Sequence, residues 1–210
     1  MEILKNFAVF EGIDGSGTTT QLSMLEAFFQ QNKRSFPPFY KTFEPTNGSI
    51  GKLIRSCLRN ETPLSPVSMA LLFAADRNEH IYGSEGINER CKRGELVVSD
   101  RYLLSSLVYQ GLLCGEELPA RLNQDFPRPE LLLFFDLEPE IALERISGRR
   151  QREIYENLDF QVQVRRRYKD LLPALSSAGV SVEILDASRP AEEIAADVLG
   201  FIQKMPIING

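Results

Sequence analysis

The sequence predicts an α/β protein built on a parallel sheet, and three observations carry that prediction. Short β-rich apolar runs recur at residues 6–11, 39–43, 96–99, 131–136 and 180–185. Stretches with helical apolar spacing separate each run from the next, an alternation that favours parallel strands joined by crossover helices. The first run ends in a glycine-rich turn, Gly12-Ile13-Asp14-Gly15-Ser16-Gly17-Thr18-Thr19, which leads straight into a helical pattern. A five-stranded sheet with helices on both faces is therefore expected. The first strand should be central, because open parallel sheets bind ligands beyond the carboxyl ends of inner strands.

Along the chain, residues 21–29 place Leu22, Leu25, Phe28 and Phe29 at helical spacing. Ser65-Pro66 supplies an N-cap and a first-turn proline for a long helix expected to reach toward Arg93. Residues 147–157 are polar and arginine-rich between helical segments, and read as a surface loop or lid. Ser188 and Pro190 precede a final helix in which Ile194, Val198 and Ile202 recur at i, i+4 and i+8. Neither a repeat nor a composition break divides the chain, so one domain over residues 1–210 is expected.

A chain of 210 residues with 43% hydrophobic content can bury one full core. Its net charge of -5 and pI near 5.1 argue against nucleic acid or an anionic membrane as partner, since both call for a basic surface. No apolar run approaches the ~20 residues a membrane span needs, and a cytoplasmic location is expected. Cys57, Cys91 and Cys114 are far apart, with no CxxC motif, which speaks against a disulfide framework or a zinc site. Positive charge is clustered in Arg145, Arg149, Arg150 and Arg152, and again in Arg165, Arg166 and Arg167. An acidic chain thereby carries strong local positive fields.

The glycine turn carries the clearest chemistry. Gly12, Gly17 and Thr19 occupy fixed positions of the pattern G-x-x-x-x-G-K-[ST], between a strand and a helix as that motif demands. Backbone N–H groups over Gly12, Gly15, Ser16, Gly17, Thr18, Thr19 and Thr20 can converge on phosphate oxygens. The helix N-terminus adds positive potential, and the Thr19 hydroxyl suits Mg²⁺. Thr18, however, stands where the pattern has lysine, so a point charge at the β- and γ-phosphates is missing. The plain alternative is a glycine turn that merely links strand and helix. With its phosphate reading, the fold becomes a three-layer P-loop NTPase fold with an Arg-rich lid.

Two further spacings suit nucleotide chemistry. Phe73 and Arg77 are i and i+4, an aromatic plate beside a forked donor; their plainer reading is a core phenylalanine and a surface pairing of Arg77 with Asp76 or Glu79. Asp100 and Arg101 follow the apolar residues 96–99, at a strand carboxyl end, and Ser105/Tyr109 and Ser106/Gln110 are again i, i+4 pairs.

Taken in order, residues 11–21 (EGIDGSGTTTQ), 44–55 (EPTNGSIGKLIR), 71–80 (LLFAADRNEH), 99–111 (SDRYLLSSLVYQG), 152–161 (REIYENLDFQ) and 185–188 (LDAS) resemble the thymidylate kinases over nearly the whole chain. The resemblance implies phosphorylation of dTMP to dTDP by MgATP, in dTTP synthesis, by a homodimer. It assigns Phe73 to stacking on thymine, Arg77 to an exocyclic oxygen, and Ser105, Ser106, Tyr109 and Gln110 to the base edge and the 2′-carbon. It assigns Arg101 to the dTMP phosphate, Asp100 to the metal, and Asp14 and Glu156 to the sugar and the metal surroundings. Asp186 and Ala187 match the turn beside adenine. Glu44 matches an E-P turn, with Phe43 where many relatives have arginine and Arg55 as the retained cation. Arg149, Arg150 and Arg152 match a lid that supplies catalytic arginine. Two alternatives stay open: a kinase for another nucleoside monophosphate, and a catalytically weak nucleotide-binding protein that lost activity with its lysine.

Overall fold

A computed structural model describes residues 2–148 and 154–209. Its five strands, β1 (Ile3–Gly12), β2 (Phe39–Phe43), β3 (Leu96–Asp100), β4 (Arg128–Asp136) and β5 (Ser181–Asp186), form one sheet in the order β2-β3-β1-β4-β5. Every neighbouring pair runs parallel. All five expected runs are strands, and β1 is the middle one.

Both β1 and β4 begin earlier than their apolar runs. Ile3 pairs with Arg128 and Leu4 with Pro129, after which the register shifts before Ala8. Asn6 sits at that irregularity with φ of 64°, its backbone N–H donating to Glu130 (2.9 Å) and its side chain to the Cys91 carbonyl (3.0 Å). A polar bulge of this kind carries no apolar signal, so a periodicity argument starts the strand too late.

Ten helices occur among the described residues: α1 (Thr18–Gln31), α2 (Ser49–Leu58), α3 (Pro66–Tyr82), α4 (Ile87–Lys92), α5 (Leu103–Cys114), α6 (Glu117–Asn123), α7 (Pro139–Ile146), α8 (Leu158–Ser177), α9 (Ala191–Gln203) and α10 (Pro206–Asn209). Ser65 caps α3 as expected, its hydroxyl accepting from the Ser68 N–H at 3.3 Å. The single long helix toward Arg93 is instead two. At Gly83 a Cβ would fall 2.4 Å from the Glu79 carbonyl, and Glu85 adopts a left-handed φ of 59°, so the chain turns before α4 begins.

Successive strand residues face opposite sides of the sheet, and helices meet both. Phe134 packs on Tyr168 of α8 with ring centroids 5.2 Å apart, while its neighbour Phe135 packs on Phe10 at 5.2 Å. Leu22, Leu25 and Phe29 of α1 and Ile194, Val198 and Ile202 of α9 belong to that core, all buried. Ile87 and Cys91 of α4 cover Phe7, Val9 and Val97. No helix among the described residues is long and apolar enough to cross a membrane.

Candidate active site

A cavity of about 780 Å³ opens at the carboxyl ends of β1, β2 and β3, and the residues from Ile13 to Ser23 form one wall of it. The loop is shaped by its glycines. Gly15 has φ of +90°, and a Cβ there would lie 2.4 Å from the Ala142 carbonyl of α7. Gly17, at φ 93°, is the N-cap of α1 and turns the chain into the helix. Thr18, Thr19 and Thr20, which open α1, line the cavity, and a helix start leaves such N–H groups without a partner one turn back. Thr18, at the lysine position, is buried and lines the cavity.

Beside this loop the Thr19 hydroxyl donates to Asp100 Oδ2 at 2.6 Å. Asp100 is buried, and its Oδ1 has no hydrogen-bond partner among the described residues. A carboxylate oxygen left unpaired next to a threonine hydroxyl fits a hard cation such as Mg²⁺. That ion takes few protein ligands and completes its shell with water and phosphate.

Arg101 has a left-handed φ of 72°, rare for a residue with a Cβ and characteristic of side chains aimed by strain into a site. Its Nη2 donates to Asp14 Oδ1 (2.6 Å), and its Nη1 to the Gly12 carbonyl (2.8 Å), Ser105 Oγ (3.3 Å) and Tyr168 OH (3.3 Å). Burial opposes its charge, yet the adjoining Tyr109 and Asp14 oxygens hold the guanidinium well above its ordinary pKa. Tyr109 donates to Asp14 Oδ2 at 3.3 Å, and burial pushes its phenol upward, so the hydroxyl stays protonated.

On the opposite wall Phe73 and Arg77 both reach the cavity. Arg77 does not pair with Asp76 or Glu79 on the surface. It is fully buried, its Nε and Nη2 donating to Glu44 Oε2 (3.0 and 2.6 Å), Nη2 also to Ser106 Oγ (3.0 Å), and Nη1 to Asn123 Oδ1. Asp76 instead accepts from the N–H and hydroxyl of Thr46, at 2.7 and 2.6 Å. Burial raises the Glu44 carboxyl, but the charge of Arg77 and the His80 imidazole, 3.0 Å away, outweigh it and leave the pKa lowered. Gln110 is buried in the same wall, and its Oε1 has no partner among the described residues. Arg55 donates to the Pro45 and Thr46 carbonyls, and Phe43 lines the cavity, 40% exposed.

Glu156 and Asp186 are not among the residues lining the cavity. Asp186 is exposed and accepts from the Ser188 N–H and hydroxyl, whereas Ala187 is buried and does line it. Arg149, Arg150 and Arg152 lie outside the described residues. The structure also adds residues that motif reading passed over. Tyr168 accepts from Arg101 Nη1 (3.3 Å) and donates to the buried Glu11 (3.0 Å), Gln161 donates to Asp14 Oδ2 (3.2 Å) and to the Tyr155 carbonyl (2.9 Å), and Arg145 lines the cavity while donating to the Ala187 carbonyl (3.0 Å). The sequence holds one signal for Glu11, an acid directly after the apolar residues 7–10 of β1.

A glycine loop joining the middle strand of a parallel sheet to a helix N-terminus, with a hydroxyl and a carboxylate placed for a hard cation, defines a P-loop nucleotide-binding protein. The model of the thymidylate kinase family matches residues 10–198. The chain is 46% identical over 172 residues to a putative thymidylate kinase of Treponema pallidum, with 81% of each chain covered. It is 40% identical over 200 residues to a probable thymidylate kinase of Pyrobaculum aerophilum, covering 95% of this chain and 97% of that one. A thymidylate kinase of Geobacillus sp. is 36% identical over 207 residues, with 93% and 95% covered. The structure of thymidylate kinase from Candida albicans shares the fold, with a TM-score of 0.79, 24% identity and 99% and 95% coverage. The chain belongs to the thymidylate kinase family.

Proposed function

We propose that this chain transfers the γ-phosphoryl group of ATP to dTMP, giving dTDP and ADP in the supply of dTTP. One observation carries the reading: the phosphate loop, Arg101 and the Phe73–Arg77–Gln110 wall all line one cavity. ATP lies along Gly12 to Thr20 with adenine near Ala187, and dTMP lies between Arg101 and Phe73. The homodimer and the cytoplasmic location are part of the same proposal, as is a single working domain whose lid spans residues 147–157.

Phosphoryl transfer asks little covalent chemistry of the protein; alignment and charge neutralisation do most of it. Arg101, held by Asp14 and the Gly12 carbonyl, presents a preorganised cation to the dTMP phosphate, so little ordering is left for the moment of reaction. Thr19 and Asp100 would hold Mg²⁺, which when bound neutralises charge on the phosphate oxygens. Phe73 stacks on thymine, and Arg77 and Gln110 face its edge. Tyr109, locked against Asp14, crowds a 2′-hydroxyl. Thr18 adds only a neutral hydroxyl, so the missing cation comes from Arg149, Arg150 or Arg152, with Glu44, Arg55, Ser105, Ser106 and Glu156 completing the substrate site.

A coupled ADP-release assay across dTMP, dUMP, dGMP and dCMP tests the proposal. Turnover of dTMP is expected, with dCMP disfavoured by roughly 10⁴-fold, since buried groups that pair with thymine stay unpaired against cytosine. Comparable turnover of dCMP and dTMP would refute the base assignment.

A further inference from the structure

Glu11 has no part in the reaction just described, yet it is one of the most completely enclosed carboxyl groups in the fold. It lies at the carboxyl end of β1, is 0% exposed, and receives no hydrogen bond from a lysine or arginine among the described residues. Its Oε1 accepts from the N–H groups of Tyr102 (3.0 Å) and Ser105 (3.2 Å). Its Oε2 accepts from Ser105 Oγ (2.6 Å) and Tyr168 OH (3.0 Å). Those two hydroxyls, 2.8 Å apart, are also the acceptors 3.3 Å from Arg101 Nη1.

We propose that Glu11 is a positioning residue for the substrate phosphate, holding the Arg101 guanidinium in place through the hydroxyls of Ser105 and Tyr168. This rests on the assignment of Arg101 to the dTMP phosphate. Each hydroxyl has one proton and two lone pairs. When Glu11 is ionised, both protons point to Oε2 and lone pairs of both oxygens face Arg101. When Glu11 is protonated, its own proton takes a lone pair of one hydroxyl oxygen and that hydroxyl turns its proton to the other, so each oxygen keeps one lone pair for Arg101 in place of two, and the negative charge behind them is gone. Burial pushes the carboxyl up to about 7, against the lowering effects of Ser105, Arg101 and Tyr168, so the two arrangements exchange near neutral pH. The ionisable groups around the ring are Arg101 after β3, Tyr168 on α8, Tyr109 on α5 and Asp14 in the phosphate loop.

The test is calorimetric binding of dTMP and of thymidine, at about pH 6 and about pH 8, to the wild-type chain and to Glu11→Gln. The ratio of the two affinities reports the phosphate clamp alone and cancels any general loss of structure. In wild type that ratio should be large and should grow with pH. In Glu11→Gln it should fall about tenfold at the higher pH, the scale of one hydrogen bond to a charged group. The ratio should then rise with pH only as the dTMP phosphate itself titrates near pH 6. Equal ratios and equal pH dependence in the two proteins would overturn the inference while leaving Arg101 at the phosphate. A wild-type chain that binds dTMP no better than thymidine would overturn the Arg101 assignment and the inference with it. Should Glu11→Gln fail to fold, Tyr168→Phe and Ser105→Ala remove the two relays and leave the carboxyl in place. Undiminished dTMP-over-thymidine ratios in both would refute the proposal.

Discussion

Replacing Glu11 by glutamine, with pH as a second variable, turns the burial of this carboxyl into a stability measurement. Burial moves its pKa from an ordinary 4.5 to about 7. A tenfold change in proton affinity is worth about 1.4 kcal/mol, so this displacement corresponds to on the order of 3 kcal/mol. The folded chain binds the Glu11 proton more tightly than the unfolded chain. The stabilisation is therefore complete below about pH 4.5 and is lost as pH rises through about 7. Glu44 acts with the opposite sign, since Arg77 and His80 lower its pKa despite burial, and its contribution is lost on acidification. Wild-type stability alone would mix the two, whereas the difference between wild type and Glu11→Gln isolates the one group that has become a neutral amide. Urea unfolding of both proteins at about pH 5 and about pH 8 should show glutamine gaining on wild type by on the order of 3 kcal/mol as the pH is raised. Curves that stay parallel across that interval would show that Glu11 is solvated or paired, and the packing argument for its raised pKa would fall.

Three further outcomes are expected. At least one of Arg149→Ala, Arg150→Ala and Arg152→Ala should lose tenfold or more in kcat, about 1.4 kcal/mol of barrier; an inert wild type beside an active Thr18→Lys would instead establish the catalytically weak reading. Gly15→Ala forces a left-handed residue whose Cβ meets the Ala142 carbonyl at 2.4 Å, so unfolding should show a loss of about 1–3 kcal/mol and the ATP KM should rise; an unchanged ATP KM would show that the loop tolerates the shift. Tyr109→Ala should narrow the preference for dTMP over its 2′-hydroxyl counterpart in the coupled assay, and an unaltered ratio would remove the phenol from sugar selection.

The strands and the phosphate loop were legible because their signals are local. An apolar run, a glycine-rich turn and a helical period each act within a few residues, which is why the order strand, loop and helix is as the sequence puts it, although β1 starts before its apolar run. Local signals were also where reading failed at Gly83, since a glycine inside a helical pattern can either pass or break, and the Glu79 carbonyl above it decides. Thr46 holding Asp76 was invisible for another reason: a polar pair 30 residues apart has no period.

By itself, then, the sequence determined the α/β class, the central phosphate strand, the family and the pairing of Phe73 with Arg77 on one helix face. Only the tertiary structure decided which charges go inside. Spacing leaves Arg77 open between a ligand-facing donor and a surface pair until Glu44, 33 positions away, Ser106 and Asn123 enclose it, and Glu11 is a buried acid whose partner Tyr168 lies 157 positions on. The physical reason is that a charge is costly to bury without partners, and in this fold those partners are brought together by the crossovers of the sheet rather than by spacing along the chain.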